Sequence, residues 1–199
     1  NNGAFAPAVT MAVTLWVVVW WIFEPIPIPA TSLLPMALLP LFGVLSPKEL
    51  GAAYGNPLVL LMLGGFILAT ALERSGAHRR IALYMVRAFG GTSSRRLVFG
   101  FMCASAFLSM WISNTSTTLM LLPVALAALE KSDDPSLASP LLLGIAYAAS
   151  IGGIGTPIGT PPNMVFMGVY SEVTGSAISF GQWMLWAIPV VLLLLPIAG

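Results

Sequence analysis

Apolar runs of about 20 residues follow one another along this chain, and they determine what it can fold into. A run of roughly 20 apolar residues crosses a bilayer as an α-helix. We predict membrane segments at residues 8–23, 28–45, 56–73, 97–111 with 115–130, 137–155 with 161–172, and 180–198. Only 8% of the residues are charged, against roughly 25% in soluble domains. The sequence therefore predicts an all-α integral membrane protein and excludes a soluble one.

Basic residues are concentrated in one segment, residues 74–96. This segment holds six of the eight Lys and Arg residues: Arg74, Arg79, Arg80, Arg87, Arg95 and Arg96. Its apolar side chains are Ile81, Leu83, Tyr84, Val86 and Phe89. The pattern predicts an amphipathic interfacial helix on the cytoplasmic side, with the loop at 46–55 on the outer side. We place His78 on the solvated or headgroup-facing side. The net charge of +1 gives no field for nucleic acid.

A polar tip interrupts the apolar stretch between residues 97 and 130. Each arm beside it is too short for a comfortable crossing, so we predict a re-entrant helical hairpin. Its tip, Ser113-Asn114-Thr115, must then face protein or a watery cavity. Oxygens of Ser109, Ser113 and Asn114 can ligate a hard monovalent cation, while amides and side chains of Asn114 and Thr115 can hold a carboxylate. Ser116, Thr117 and Thr118 equally suit helix capping or helix–helix contacts.

A second interruption follows in residues 152–163. Glycines and prolines there predict an unwound stretch inside a span, with break residues Gly155, Thr156, Pro157, Pro161, Pro162 and Asn163. Thr160 is a good N-cap and Pro161 a good first residue for a new half-helix. Two broken helices at one depth are typical of a transporter's binding site. The carbonyl of Gly159 is expected to join the cation ligands from the hairpin.

The two motifs together resemble the divalent anion:sodium symporter family, the dicarboxylate and citrate transporters. The resemblance rests on Ser113-Asn114-Thr115, Gly159-Thr160-Pro161-Pro162-Asn163, the stretch from Trp20 to Pro27, and Thr31-Ser32-Leu33-Leu34-Pro35. It implies an elevator-type transporter with inverted repeats, usually a homodimer, coupling sodium to uptake of succinate, malate, fumarate or citrate. It also implies a sodium site at Ser109, Ser113, Asn114 and Gly159, and substrate contacts from Asn114, Thr115 and Thr160.

The resemblance further implies a division of the chain into two roles. Residues 1–96 would be scaffold, and residues 97–199 a transport half with the hairpin 97–130, the broken helix 137–172 and the final span 180–198. One hairpin and one broken helix correspond to a single repeat, so we expect a piece of a larger transporter that needs a second repeat or a second copy. Sodium, with lithium as the other candidate ion, is the expected partner of a small carboxylate; no organic cofactor is expected.

Three other functions remain open at this point. Sodium-independent dicarboxylate exchange, or transport of arsenite or another oxyanion, would use the same architecture. An inert half-transporter fragment is the third. An intramembrane hydrolase is not expected, because the sequence offers one histidine and no Asp or Lys within a span. We expect a multi-pass protein of the plasma membrane, which in a bacterium is the inner membrane.

Overall fold

The fold is helical throughout the part of the chain that the computed structural model describes, residues 2–89, 93–130, 132 and 134–199. A short 3₁₀ turn, Pro135–Leu137, precedes the ninth helix. The helices are α1 (Asn2–Phe23), α2 (Ile28–Ser32), α3 (Leu34–Leu41), α4 (Pro47–Tyr54), α5 (Pro57–Arg74), α6 (Ala77–Phe89), α7 (Ser94–Ser109), α8 (Asn114–Leu129), α9 (Ala138–Gly153), α10 (Pro161–Thr174) and α11 (Phe180–Ala198).

Four segments are long and apolar enough to cross a membrane. They are Ala4–Phe23, Pro57–Arg74, Pro135–Gly153 and Phe180–Ala198, each at a position where the sequence predicted a span. Helix α8 is apolar but shorter than these four, in line with the predicted short hairpin arm. The predicted arms 97–111 and 115–130 correspond to α7 and α8. Each helix begins and ends slightly earlier in the chain than the predicted arm.

The chain forms two compact units, Asn1–Val59 and Leu60–Gly199. In the first unit α1 packs against α2 and α3, and the rings of Trp16 and Trp20 meet edge to face with centroids 5.3 Å apart. The boundary between these units concerns packing. The division into scaffold and transport residues at 96/97 concerns roles, and it stays a prediction.

Two predicted segments of the first unit are more complex than one span and one loop. The single segment predicted at 28–45 is two short helices, α2 and α3, with Leu33 between them. Prolines lie in the first turn of each helix, where a missing amide hydrogen favours a helix start rather than a continuous span. The loop predicted at 46–55 contains α4. Its start is fixed by a capping box in which Ser46 Oγ accepts from the Glu49 amide and Glu49 accepts from the Ser46 amide.

The amphipathic helix predicted at 74–96 is shorter than expected. Helix α5 continues to Arg74, α6 covers Ala77–Phe89, and α7 begins at Ser94, while residues 90–92 lie outside the described residues. Helix α6 packs along α7 with Ala82 buried. Tyr84 was predicted on the apolar side, and this is wrong: its side chain is 75% exposed. Helical geometry places it with Arg80 and Arg87, four residues before and three after it.

The core of the second unit is the crossing of α7 and α9. Ser105 Oγ in α7 donates to the carbonyl of Ile145 in α9 at 2.8 Å, and both groups are buried. Gly152 lies so close to α7 that a methyl group there would be 2.1 Å from the carbonyl oxygen of Ala106. Small residues permit such an approach of two backbones. The crossing brings the end of α9 beside the end of α7.

Candidate functional site

The hairpin turn joins α7 to α8 over four residues. Ser113 is the N-cap of α8, and its hydroxyl accepts a hydrogen bond from the amide of Ser116 at 3.1 Å. Ser113 and Thr115 are exposed, whereas Asn114 is half-buried. The negative end of α7 and the positive end of α8 therefore lie beside one another at this turn.

The second interruption separates α9 from α10. Helix α9 ends at Gly153 and α10 begins at Pro161, so the chain is not helical over residues 154–160. Of the predicted break residues, Gly155, Thr156 and Pro157 lie in this stretch and are buried. The other three, Pro161, Pro162 and Asn163, form the first turn of α10. Pro161 is its first residue, as predicted, because proline is compatible with a first helical turn.

The start of α10 offers few free amides to an anion. Thr160 is its N-cap, as predicted, although the hydroxyl makes no capping hydrogen bond. Pro161 and Pro162 carry no amide hydrogen, and the Asn163 amide donates to the Thr160 carbonyl at 3.1 Å. A carboxylate at this helix end would therefore depend on the hydroxyl of Thr160, which is half-buried.

Side chains satisfy the carbonyls that the break sets free. Asn163 is 7% exposed, and its Nδ2 donates to the carbonyls of Gly153 and Thr156, each at 2.8 Å. The indole of Trp183 in α11 donates to the carbonyl of Ile154 at 2.8 Å. Buried carbonyls without partners are costly, so these bonds fix the unwound stretch in one conformation.

One threonine connects the two interruptions. The hydroxyl of Thr156 donates to the carbonyl of Met110, in the hairpin turn, and accepts from the amide of Gly159 at 3.1 Å. Thr156 is fully buried. The hairpin turn and the α9–α10 break are therefore one bonded structure, although they are more than 40 residues apart in sequence.

Oxygen atoms of the hairpin lie against glycines of the α9–α10 break at this place. Ser109 Oγ donates a hydrogen bond to Asn114 Oδ1. A methyl group at Gly153 would be 2.7 Å from the same Oδ1, and one at Gly159 would be 3.0 Å from the carbonyl oxygen of Ser109. Glycine is required at both positions because any side chain would occupy the space beside these oxygens.

The converging ligands are all uncharged. They comprise a hydroxyl, an amide oxygen and backbone carbonyls, the oxygen donors that suit hard cations. Among the described residues, no group of three or more His, Cys, Asp and Glu side chains could hold a metal ion. Neutral oxygens match a monovalent cation better than a divalent one, because they carry no charge of their own to offset a double charge.

The structure brings together three of the four residues predicted for the cation: Ser109, Asn114 and Gly159. The fourth, Ser113, is exposed and its hydroxyl caps α8. Three groups that hold the two interruptions in place were not predicted: Gly153 against Asn114, the carbonyl of Met110 bonded to Thr156, and the indole of Trp183 bonded to Ile154. Gly153 could have been noticed from the Gly152-Gly153 pair. The other two act through the fold and have no signal in the sequence.

His78 lies in a different setting from the one predicted. It is half-buried, with Nδ1 3.0 Å from the carbonyl oxygen of Leu72. Together with Glu73 it lines a cavity of about 300 Å³ that also includes Ile112 and Ser116, next to the hairpin turn. His78 is therefore only partly accessible to solvent or headgroups, which is less exposure than predicted.

Known proteins resemble this chain over most of its length. Residues 18–199 match the family described as citrate transporter, CitMHS. A sodium-dependent dicarboxylate transporter, SdcS, of Staphylococcus saprophyticus is 45% identical over 196 residues, which is 93% of this chain and 38% of the relative. The protein of the same name from Staphylococcus aureus is 44% identical over 198 residues, covering 94% of this chain and 38% of the relative. The chain thus spans well under half the length of these relatives.

Proposed function

This chain belongs to the citrate transporter family, and from that membership we propose that the full-length protein is a sodium-coupled symporter of di- or tricarboxylates. It is a multi-pass integral membrane protein of the plasma membrane, a family setting that fits a transporter rather than an enzyme. The names of its relatives support sodium as the coupling ion and a dicarboxylate as the substrate. Succinate, malate, fumarate and citrate are the candidates.

The meeting of Ser109, Asn114 and Gly159 is the observation that supports this proposal most. Ser109 Oγ and Asn114 Oδ1 face each other across a hydrogen bond. Rotation of the hydroxyl hydrogen would free both oxygens for a cation, and the carbonyl oxygen of Ser109 lies against Gly159. A sodium ion would be held there by Ser109, Asn114 and Gly159, with Ser113 as the fourth residue of the proposed site.

The substrate carboxylate is proposed to bind beside this cation. The first amides of α8, those of Asn114 and Thr115, lie at the positive end of the helix, where anions are stabilised. The Thr160 hydroxyl is free of a capping role. Cation binding would order the turn and offset the negative charge of the substrate, so sodium and substrate would bind with positive linkage. Sodium is expected to bind first.

Movement of the site across the membrane is proposed to follow an elevator mechanism. Residues 97–199 would carry the site and residues 1–96 would remain with the scaffold. A second repeat, supplied by the rest of a longer chain, would complete the substrate site from the other side. We propose a homodimer as the assembled form.

Uptake of labelled succinate and citrate into proteoliposomes tests the function. The full-length protein should take up at least one of them faster with an inward sodium gradient than with potassium. Equal uptake with and without sodium or lithium would favour an exchanger and would contradict sodium coupling. Competition by arsenite but not by succinate would instead indicate an oxyanion transporter.

A further inference from the structure

Helix α6 has one apolar face and one basic face, and the packing of the helix fixes which face is outside. Ala82 is buried, and Ile81, Met85 and Val86 pack against the same hydrophobic core, which includes Val98 and Phe101 of α7. The opposite side of the helix therefore faces away from the protein core. It carries Arg80, Tyr84 and Arg87, all of which are exposed, with Arg79 exposed beside them.

Tyr84 is informative because an exposed aromatic ring is unusual on a basic helix face. It is 75% exposed and lies between Arg80 and Arg87 along the helix. Tyrosine is enriched where an apolar ring meets lipid and its hydroxyl meets the headgroups. Long arginine side chains can likewise extend their charged ends to the level of the headgroups. A helix face on which a tyrosine lies between two arginines therefore suits a flat, partly apolar, negatively charged surface.

The start of α7 adds two more basic side chains. Arg95 and Arg96 lie exposed in its first turn, where the helix dipole favours acidic rather than basic groups. Asp134 is bonded to this end of the helix: its carboxylate accepts from the hydroxyls of Ser94 at 3.0 Å and Ser136 at 2.6 Å. That carboxylate is held by hydroxyls, and Arg95 and Arg96 remain exposed.

We propose that this surface, consisting of Arg79, Arg80, Tyr84, Arg87, Arg95 and Arg96, binds the headgroups of anionic phospholipids at the cytoplasmic face of the membrane. Clusters of four to eight basic residues beside a membrane helix or on an amphipathic helix are the pattern that recognises acidic lipids. Guanidinium groups match phosphate in shape and charge. The surface depends on the membrane setting of the chain and is independent of the proposed sodium and carboxylate sites.

A lipid headgroup fits this surface better than a soluble anion does. The basic groups lie exposed on one face of α6 and in the first turn of α7, so they are spread over a surface rather than gathered in a closed pocket. Exposed charges with a tyrosine ring among them can contact several headgroups at once. Free phosphate would contact only one or two arginines and would make no apolar contact with the tyrosine ring.

The test compares lipids and variants by thermal unfolding of the full-length protein in nanodiscs. Wild type, Arg80→Gln/Arg87→Gln and the control Lys48→Gln, an exposed basic residue in α4, are placed in phosphatidylcholine with and without phosphatidylglycerol. The acidic lipid should raise the Tm of wild type and Lys48→Gln by roughly 4 °C, and the rise should disappear in the double variant. Arg80→Lys/Arg87→Lys should retain most of it. Native mass spectrometry should show fewer retained acidic lipids on the double glutamine variant.

Several results would overturn the proposal. One is an equal response of wild type and double variant to phosphatidylglycerol. A second is a Tm that falls by the same amount in both lipids when the two arginines are replaced. That result would mean that protein rather than lipid covers this face. A third is stabilisation by millimolar inorganic phosphate in phosphatidylcholine alone, which would indicate a soluble anion. If the double variant fails to fold, the wild type still decides, because its lipid response must weaken at high salt.

Discussion

The hairpin turn and the α9–α10 break contain similar residues but place them in opposite environments. In the break, Gly155, Thr156 and Pro157 are buried, and the freed carbonyls are bonded to Asn163 and Trp183. At the hairpin turn, Ser113 and Thr115 are exposed and Asn114 is half-buried. The first region is a rigid support. The second leaves its polar groups accessible.

This difference indicates how a polar site can exist inside an apolar protein. Irregular backbone at membrane depth is tolerated only where protein or a watery cavity satisfies it. The break satisfies its own groups and so can support the turn, through the hydroxyl of Thr156 on the carbonyl of Met110. The turn can then leave oxygens and amides available. Mutations in the break should lower stability, whereas mutations in the turn should lower ligand binding.

The largest effect is expected where the two regions are joined, at the α7–α9 crossing. In Gly152→Ala the new methyl group would lie 2.1 Å from the carbonyl oxygen and 2.4 Å from the Cα of Ala106. Backbone cannot rotate away as a side chain can, so we expect a loss of about 3 kcal/mol or failure to fold. Thermal unfolding in detergent measures it. In the control Gly64→Ala, nothing lies within 4 Å; a comparable loss there would show that the crossing is not special.

A smaller loss of stability is expected from Asn163→Leu in the break. The Gly153 carbonyl would lose its donor and the Thr156 carbonyl would keep only the Gly159 amide at 3.3 Å, at a cost of about 2 kcal/mol. Thr115→Ala, in the exposed turn, should change stability by less than about 0.5 kcal/mol while weakening substrate-dependent stabilisation. Measuring Tm with and without succinate separates the two effects. A stable Asn163→Leu protein together with an unstable Thr115→Ala protein would reverse the roles assigned to the two regions.

The next effect concerns the support that α11 gives to the break. Trp183→Phe keeps an aromatic ring, which packs against Phe166 with centroids 5.9 Å apart, but removes the donor to the Ile154 carbonyl. We expect a loss of about 1 kcal/mol. Trp186→Phe, on the same helix and 52% exposed, should have little effect. Equal Tm values for the two variants would show that the Ile154 carbonyl has no need of the indole.

The smallest effect is expected at the base of the hairpin. Hydrogen bonds from the Ser136 side chain, then the Ser94 side chain, and then the Ser136 backbone amide lower the pKa of Asp134 below its ordinary value of 3.8. Because the folded pKa is the lower one, this stabilisation is present above the ordinary value and is lost as pH falls through the folded pKa. Ser94→Ala should raise the pKa of Asp134 and flatten the acid limb of stability between roughly pH 5 and pH 2.

The control for that prediction is Ser132→Ala. Ser132 Oγ accepts from the Asp134 backbone amide at 3.2 Å and makes no direct bond to the carboxylate. The loss of stability of Ser132→Ala at acid pH should therefore match that of wild type. Carbon-detected NMR of the Asp134 carboxyl group gives the pKa directly, and identical values in wild type and Ser94→Ala would remove Ser94 as a cause.

Local chemistry made the interruptions predictable from the sequence. Gly-Thr-Pro-Pro must unwind a helix wherever it occurs, and Ser113-Asn114 is a helix start in almost any context. The ordered motifs also identified the family, which is confirmed by the match over residues 18–199. The assignment of individual residues to sodium and substrate stays a prediction.

Tertiary contacts account for what the sequence analysis missed. Nothing in the sequence shows that Gly153 lies against Asn114, because that contact results from the crossing of α7 and α9. The positions of Tyr84 and His78 likewise depend on α6 packing along α7. Apolar periodicity alone could not tell a helix lying on the membrane from one lying on another helix.

The sodium site can be tested most directly by titrating sodium against the Tm of the full-length protein. Wild type and Ser132→Ala should be stabilised by sodium and not by potassium, whereas Ser109→Ala and Asn114→Ala should lose the sodium response and keep nearly the same Tm in potassium. Asn114→Ala should also abolish sodium-dependent uptake. If Asn114→Ala melts with an unchanged sodium response, the oxygens gathered by the two interruptions are not where the cation binds.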